Sequence, residues 1–296
     1  PDYSECEIKT EMNRIFLFFY LITANIFPQD ELLDFLGEEP LVPFPVQATF
    51  KSTRIVNAQS LELPRAKTLE FMIQHRFGKM KNGFYDLFGM DEATVHYDLK
   101  YAFNKRLAFG LGRSSWKKTY DLMIKWKMMR QMEGKGKAFP LTAVFFSNIG
   151  INALKKDNVY KEKFSNRIHY IQQLILGRKF NEIFSIQFSP TWIHKNLVTT
   201  NEDQHDLFST VLGGRIKFAK HYTLTGDISF PFGNRSEDYK NGWGIGLNIE
   251  TGGHVFQLIL TNARGGYEGA YIEDAKGSLD TGDIFLGFNI TRVFIL

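Results

Sequence analysis

Thiols are almost missing from this chain: Cys6 is the single cysteine in 296 residues. That excludes a disulfide framework and a thiolate metal centre. Proline is scarce at 9, and neither sign of charge dominates, with Lys+Arg 36 against Asp+Glu 32 and a formal net charge of +4. The cations are scattered instead of clustered, which argues against a dedicated nucleic-acid binder. Also missing is any run of the ~20 apolar residues that a membrane-crossing helix requires. What the chain has instead is 44% hydrophobic residues, with Phe 28, Tyr 12, Trp 4 and Gly 25. Such a chain is not disordered, and many aromatics and glycines with few prolines suit a protein built of strands.

The one strongly apolar stretch is Ile15–Ile22, behind Met12, Asn13 and Arg14 and ahead of Thr23, Ala24 and Asn25. A short basic region, an apolar run and small or polar residues are the layout of a secretory signal peptide. We expect that peptide at residues 12–29, cleaved between Ala24 and Asp30. Residues 1–11, polar and opening on Pro1, read as read-through ahead of a start at Met12, so that Cys6 would be absent from the mature chain. Residues 30–65 follow as a periplasmic N-terminal segment, with three forms left open: a flexible tether, an extra strand at Gln47–Arg54, or a small periplasmic or lumenal plug.

From residue 66 onward, apolar and polar residues alternate with the period of two that marks strands. Val95, Tyr97, Leu99 and Tyr101 alternate with Thr94, His96, Asp98 and Lys100. About twelve such segments occur, at 67–77, 93–102, 105–113, 118–130, 140–148, 166–177, 181–193, 206–218, 222–230, 242–250, 254–262 and 283–296. Tight connections at Phe103–Arg106, Arg178–Asn181, Ala219–His221 and Thr251–Gly253 alternate with long ones at Gly78–Glu92, Ile149–Ser165, His194–His205, Pro231–Asn241 and Ala263–Gly282. Two connections break this rhythm: Ser114–Lys117 is short on the long side, and Gln131–Phe139 is long on the short side. The pattern predicts an all-β fold: residues 66–296 as one up-and-down antiparallel transmembrane β-barrel of about twelve strands, with short periplasmic turns and long outer loops.

In a lipid-embedded barrel the apolar residues turn outward and the lumen is polar. The predicted pore-lining residues are therefore Glu70, Gln74, His96, Asp98, Lys100, Asp121, Lys125, Lys127, Arg215, Lys217, Asp227 and Glu250. Inward cations slightly outnumber inward acids, which predicts a weak anion preference. Trp116, Trp192 and Trp243 at the outer strand ends, with Phe103, Phe180 and Tyr222 at the inner ends, are expected to form aromatic girdles at the membrane interfaces. The last strand ends Val293-Phe294-Ile295-Leu296, an aromatic-bearing terminus of the kind read by the barrel-insertion machinery.

Five segments carry a likeness: Phe50–Ser60 (FKSTRIVNAQS), His75-Arg76-Phe77-Gly78, Phe84–Ala93 (FYDLFGMDEA), Gly110–Ser115 (GLGRSS) and Lys118–Gln131 (KTYDLMIKWKMMRQ). Together they resemble an uncharacterised family of outer-membrane β-barrel proteins of Bacteroidetes-type Gram-negative bacteria, from about residue 46 to the C-terminus. The resemblance implies fold and location. It implies no site residues, because the family has no assigned reaction or ligand.

Little chemistry stands out. His96 and Asp98 lie two apart and share the lumenal face, and with Asp121 on a neighbouring strand they could act as a general base. Wet polar lining is the plainer reading. His75, His169, His194, His205, His221 and His254 show no metal spacing. Gly110-x-Gly112-Arg113-Ser114-Ser115 opens a strand and not a helix, so it lacks the helix N-terminus of a phosphate cradle. Gly242-x-Gly244-x-Gly246 reads as small inward residues that relieve crowding. We therefore expect no metal, no cofactor and no enzymatic activity. The expected role is a narrow porin-like channel for small solutes among outer-membrane lipids. The rival readings are a non-conducting barrel that binds a partner through loops 149–165 and 263–282, and a membrane-embedded hydrolase.

Overall fold

The predicted alternation turns into a wall in which each strand is paired on both sides. In this computed structural model, residues 42–134, 139–155, 163–198, 200, 201, 203–251 and 254–295 are described. The expected read-through segment, the signal peptide and the first part of residues 30–65 lie outside the described residues, as does Leu296. The unit considered below comprises Phe44–Glu133 and Ala138–Leu296.

Its strands are β1 (Thr68–Lys79), β2 (Ala93–Ala102), β3 (Leu107–Ser114), β4 (Thr119–Met129), β5 (Thr142–Asn152), β6 (Ile168–Lys179), β7 (Phe184–Lys195), β8 (Asp206–Lys217), β9 (Tyr222–Phe232), β10 (Trp243–Thr251), β11 (His254–Thr261) and β12 (Phe285–Ile295). Each pairs antiparallel with the next in sequence, and β12 returns to β1 with Ile290 opposite Ile73 and Phe294 opposite Leu69, closing a twelve-stranded barrel. Closure leaves no unpaired edge, the condition a sheet must meet to sit in lipid. All twelve predicted strands are present; β3, β5, β6, β7 and β12 start two to three residues later than their predicted ranges.

Tyr97, Leu99, Leu111, Tyr120, Leu122, Phe208 and Ile245 are exposed on the outside, while their strand neighbours are buried inside. Among the described residues no helix is long and apolar enough to cross a membrane, which says nothing against crossing by strands. Short turns have a local cause. Asn104 Oδ1 accepts from the backbone N–H of Arg106 at 2.7 Å and of Leu107 at 3.0 Å, and Asn181 Oδ1 does the same for Ile183 at 2.9 Å and Phe184 at 2.7 Å. Side chains that close a turn in this way make it compact.

The lumen is occupied by the chain itself. Residues 46–66 form a hairpin inside it, its tip closed by Ile55 N donating to Ala58 O at 2.9 Å and Ser60 N to Thr53 O at 3.0 Å. The hairpin bonds to wall strands around the circle: Lys125 of β4 to Glu62 O (2.7 Å), Gln187 of β7 to Gln59 O (2.7 Å), Gln257 of β11 to Ile55 O (2.8 Å) and Asn289 of β12 to Val56 O (3.2 Å). In the described part of the segment expected at 30–65, the chain forms this lumenal hairpin, with no strand at Gln47–Arg54. From the opposite rim the β11–β12 loop drops inward with a five-residue helix, α1 (Glu268–Ile272), whose residues are all buried.

Phe50, Ile55, Val56 and Leu61 of the hairpin pack with Met123, Val144, Phe146, Ile175 and Ile259 of the wall. Ala58, Tyr271, Ile272 and Ala275 pack with Ile171, Ile193, Leu207 and Val211. This corrects the expectation of a polar lumen around water: β5–β8 turn apolar side chains inward because a hairpin and a loop are there to cover them. The glycine stripe on β10 serves the same end. A Cβ on Gly244 would press on Asn57 and Val56, one on Gly246 on Val56, and one on Gly242 on the Tyr271 carbonyl.

Both breaks in the loop rhythm now have a cause. The long connection on the short side carries Met132–Glu133, which pairs with Phe44–Pro45, and Gln131 O accepts from Val46 N at 2.9 Å, so it receives the chain as it enters the lumen. The short connection on the long side leaves room for the β11–β12 loop. There Lys117 pairs with Asp274 at 2.6 Å and the Arg264 guanidinium lies 5.5 Å from the Trp116 ring.

Candidate functional site

Hairpin, loop and wall meet at Arg54, whose side chain is fully buried. Its Nε donates to Asp98 Oδ2 at 3.3 Å, and its Nη1 donates to Glu268 Oε1 at 2.9 Å and to Asn57 O at 2.6 Å. Burial alone would lower the guanidinium pKa, but Glu268 and Asp98 outweigh it and raise it, so Arg54 stays a cation. Gln59 Nε2 adds a second bond to Glu268 Oε1 at 3.0 Å. One arginine therefore ties the hairpin to β2 and to the loop at once.

β1 and β2 supply the surroundings because residues two apart share a face. Glu70 accepts from Thr53 Oγ1 at 2.5 Å and from Lys100 Nζ at 3.3 Å, Gln74 Nε2 donates to Asp98 Oδ2 at 3.0 Å, and Lys100 lies 3.4 Å from Asp98. His96 Nε2 is 2.8 Å from Asp98 Oδ1 and 4.0 Å from Asp121 Oδ2. Asp121 comes from β4, and its Oδ1 accepts from Asn148 Nδ2 at 3.3 Å. Gly112 on β3 makes space for that carboxylate, since a Cβ there would collide with it. His96, Asp98 and Asp121 thus come together in a fully buried setting, but Asp121 is not on a strand neighbouring theirs: it reaches them from two strands away, across Gly112 of β3.

Of the twelve residues named from sequence as pore-lining, ten are buried in a packed interior and Lys217 and Glu250 are half-buried; only Glu70, Gln74, His96, Asp98, Lys100 and Asp121 are brought together around Arg54. Lys125 Nζ is held by the carbonyls of Thr53 (3.2 Å) and Glu62 (2.7 Å), and Lys127 pairs with Glu62 at 3.5 Å. Arg215 donates to the carbonyls of Ala48 (3.0 Å) and Glu182 (3.3 Å), and Glu250 pairs with Lys51 at 3.0 Å. Lys217 sits half-buried opposite Thr223 at the same rim. Asp227, on the far wall, holds the hairpin tip: its Oδ2 accepts from the backbone N–H of Val56, Asn57 and Ala58 at 3.0, 2.7 and 2.8 Å.

Phe103, Phe180, Tyr222 and Trp192 lie exposed on the outside near the strand ends, and Trp243 is half-buried at the long-loop rim. Trp116 differs. It lies under the β11–β12 loop, with its Nε1 buried and unpartnered, because that loop folds across the rim.

The sequence pattern of the membrane bound beta barrel domain family (DUF5777) matches residues 50–294. The chain belongs to this family. The DUF5777 match begins inside the lumenal hairpin, so the hairpin from Phe50 onward belongs to the family pattern along with the wall. No curated protein sequence matches the chain. Among solved structures it is similar to the NanC porin, at 9% identity over 76% of this chain and 98% of that one, with a TM-score of 0.46. It is also similar to the KdgM porin in complex with disordered oligogalacturonate (8% identity, 77% and 99% covered, TM-score 0.46). A third is an outer membrane channel from Pseudomonas putida F1 (14% identity, 78% and 97% covered, TM-score 0.45).

Sequence reasoning missed Arg54 and Glu268, the two residues that join the layers of this DUF5777 barrel. A signal existed for the second: Glu268 stands among Gly265, Gly266, Tyr267, Gly269, Ala270, Tyr271 and Ile272, small and apolar company for an acid bound for the interior. Arg54 lies in a segment without periodicity, where nothing distinguished it from a solvated arginine.

Proposed function

We propose that the protein is an outer-membrane β-barrel, exported by a cleaved signal peptide, whose resting state is a closed porin-like barrel. The observation that supports this reading is the filled lumen. Phe50, Ile55, Val56 and Leu61 are at most 2% exposed, packed against inward side chains of the wall. Opening a bore for solutes means moving that apolar surface into water, and apolar surface resists such transfer in proportion to its area. The proposed anion preference has little to rest on in the closed state, since Lys100 and Lys127 are ion-paired and Lys125 and Arg215 are held by carbonyls. Outer-membrane lipids cover the apolar belt in this reading, and β12, with Phe294 on its outer face opposite Leu69, serves the insertion machinery.

The test is conductance in planar bilayers. The full chain is expected to give no steady single-channel current. A variant with residues 48–64 replaced by a short Gly/Ser linker, still heat-modifiable in detergent gels, is expected to conduct. Steady current from the unaltered chain would refute the closed resting state. A second reading, a barrel that binds a partner through its loops, is favoured by the β1–β2 loop, where Phe84 and Tyr85 are 86% and 96% exposed. Loss of cell-surface binding on Phe84→Ser with Tyr85→Ser, with the barrel intact, would support it.

A further inference from the structure

We propose that His96, Asp98 and Asp121 form a site for one divalent transition-metal cation, Zn²⁺ by the chemistry of its donors, sealed in the charged side of the lumen. One donor atom from each lies within 4.8 Å of the other two. One imidazole nitrogen and two carboxylate oxygens are a donor set suited to zinc, which in many sites takes three protein ligands and leaves a fourth position open. Donors around a tetrahedral zinc stand roughly 3.3 Å apart. The separations of 2.8 Å (His96–Asp98) and 4.0 Å (His96–Asp121) bracket that value, and the third lies within 4.8 Å, so binding would require the two carboxylates to draw together around the ion.

The carboxylates are already turned for the task. Asp98 Oδ2 is occupied by Gln74, Arg54 and Lys100, which leaves Oδ1 facing His96. Asp121 Oδ1 is held by Asn148, and its Oδ2, buried and aimed into the cluster, has no hydrogen-bond partner. Buried polar atoms seldom remain unpaired, and outer partners that fix one oxygen so that the other can bind are a regular feature of metal centres. Glu268 Oε2 next door is buried and unpartnered as well.

Arg54 and Lys100 are ion-paired within a group that includes Asp98, Glu70 and Glu268, with Asp121 beside His96. The loop seals the position: a Cβ on Gly266 would stand 2.7 Å from His96 Cβ. The inference does not depend on whether the lumen ever opens.

The experiment uses the full chain, refolded into detergent micelles with Co²⁺ present because the closed barrel offers no open route from solvent. After desalting, cobalt is counted and its visible spectrum recorded. One retained Co²⁺ per chain is expected, with retention about tenfold weaker or worse in His96→Gln and in Asp121→Asn, both still heat-modifiable. His194→Gln, which alters the exposed His194–Asp206 pair, is expected to change nothing. No retained cobalt, or retention indifferent to both lumenal variants, overturns the proposal. Should a lumenal variant not fold, the unaltered chain decides. Intense visible bands of a four- or five-coordinate ion support the site, and the weak bands of a six-coordinate ion overturn it.

Discussion

The two sides of the lumen wall bury their inward faces by opposite means. β1–β4 carry Glu70, Arg76, His96, Asp98, Lys100, Asp121 and Lys125 inward, all at most 4% exposed and most of them ion-paired or hydrogen-bonded. β5–β8 carry Val144, Phe146, Ile171, Ile175, Ile193, Leu207 and Val211 inward, also at most 4% exposed. The same hairpin faces both, with Arg54 toward the charges and Ile55, Ala58 and Leu61 toward the aliphatic side. An aliphatic contact tolerates trimming, whereas a buried ion network tolerates no missing partner. The charged side should therefore hold the hairpin in one position, and the aliphatic side should supply bulk adhesion.

That contrast has measurable consequences, in descending size. Arg54→Met strands Asp98 and Glu268 without their shared cation and is expected to cost about 3–5 kcal/mol in urea unfolding from lipid vesicles. Adding Glu268→Gln should recover part of the loss. Asp227→Asn, which weakens the charged cap on three backbone N–H groups, is expected to cost about 1–3 kcal/mol in the same assay. Ile175→Val on the aliphatic side should cost only about 0.5–1.5 kcal/mol. If Ile175→Val proves as damaging as Arg54→Met, the distinction between the two sides fails.

The loop adds a pH dependence. Burial pushes the Glu273 carboxyl up to about 7 from an ordinary 4.5, with Lys195 opposing and Asp274 adding to the rise. The folded loop then binds a proton more tightly than the unfolded one. Its stabilisation is full below about 4.5 and is lost as pH rises through about 7. Hydrogen exchange in residues 267–275 should accelerate between pH 5 and pH 8 beyond its intrinsic base catalysis, and Glu273→Gln should remove the excess.

The wall was legible in the sequence because period-two alternation is a property of each strand alone. In β2, Val95, Tyr97 and Leu99 against His96, Asp98 and Lys100 fixes both faces without knowledge of any neighbour. That His96, Asp98 and Asp121 share the lumenal face was legible for the same reason; that Asp121 crosses Gly112 of the intervening strand to reach His96 was not. The lumen's contents were not. Phe50, Ile55, Val56 and Leu61 follow no period, since a hairpin gripped from all sides has no single wet face. One overlooked sign lay in the wall itself. Val144-Phe145-Phe146 and Leu174-Ile175-Leu176 are apolar on both faces, which a strand between lipid and water would not be. Trp116 was assigned to the membrane interface because its covering loop is remote in sequence.

The way the hairpin is tethered also sets how it would respond to force. Its outgoing leg starts at the two-residue ladder of Phe44–Pro45 with Met132–Glu133, and its returning leg runs into β1 through Lys67 N bonded to Ala102 O at 2.7 Å. One leg is fastened by a few backbone bonds and the other by a full strand of the wall. Tension applied to the chain ahead of Phe44 would unzip the weak ladder first and then load the tip where Asp227 grips it. The barrel would stay shut at low tension and yield in two steps, with the second rupture at the tip.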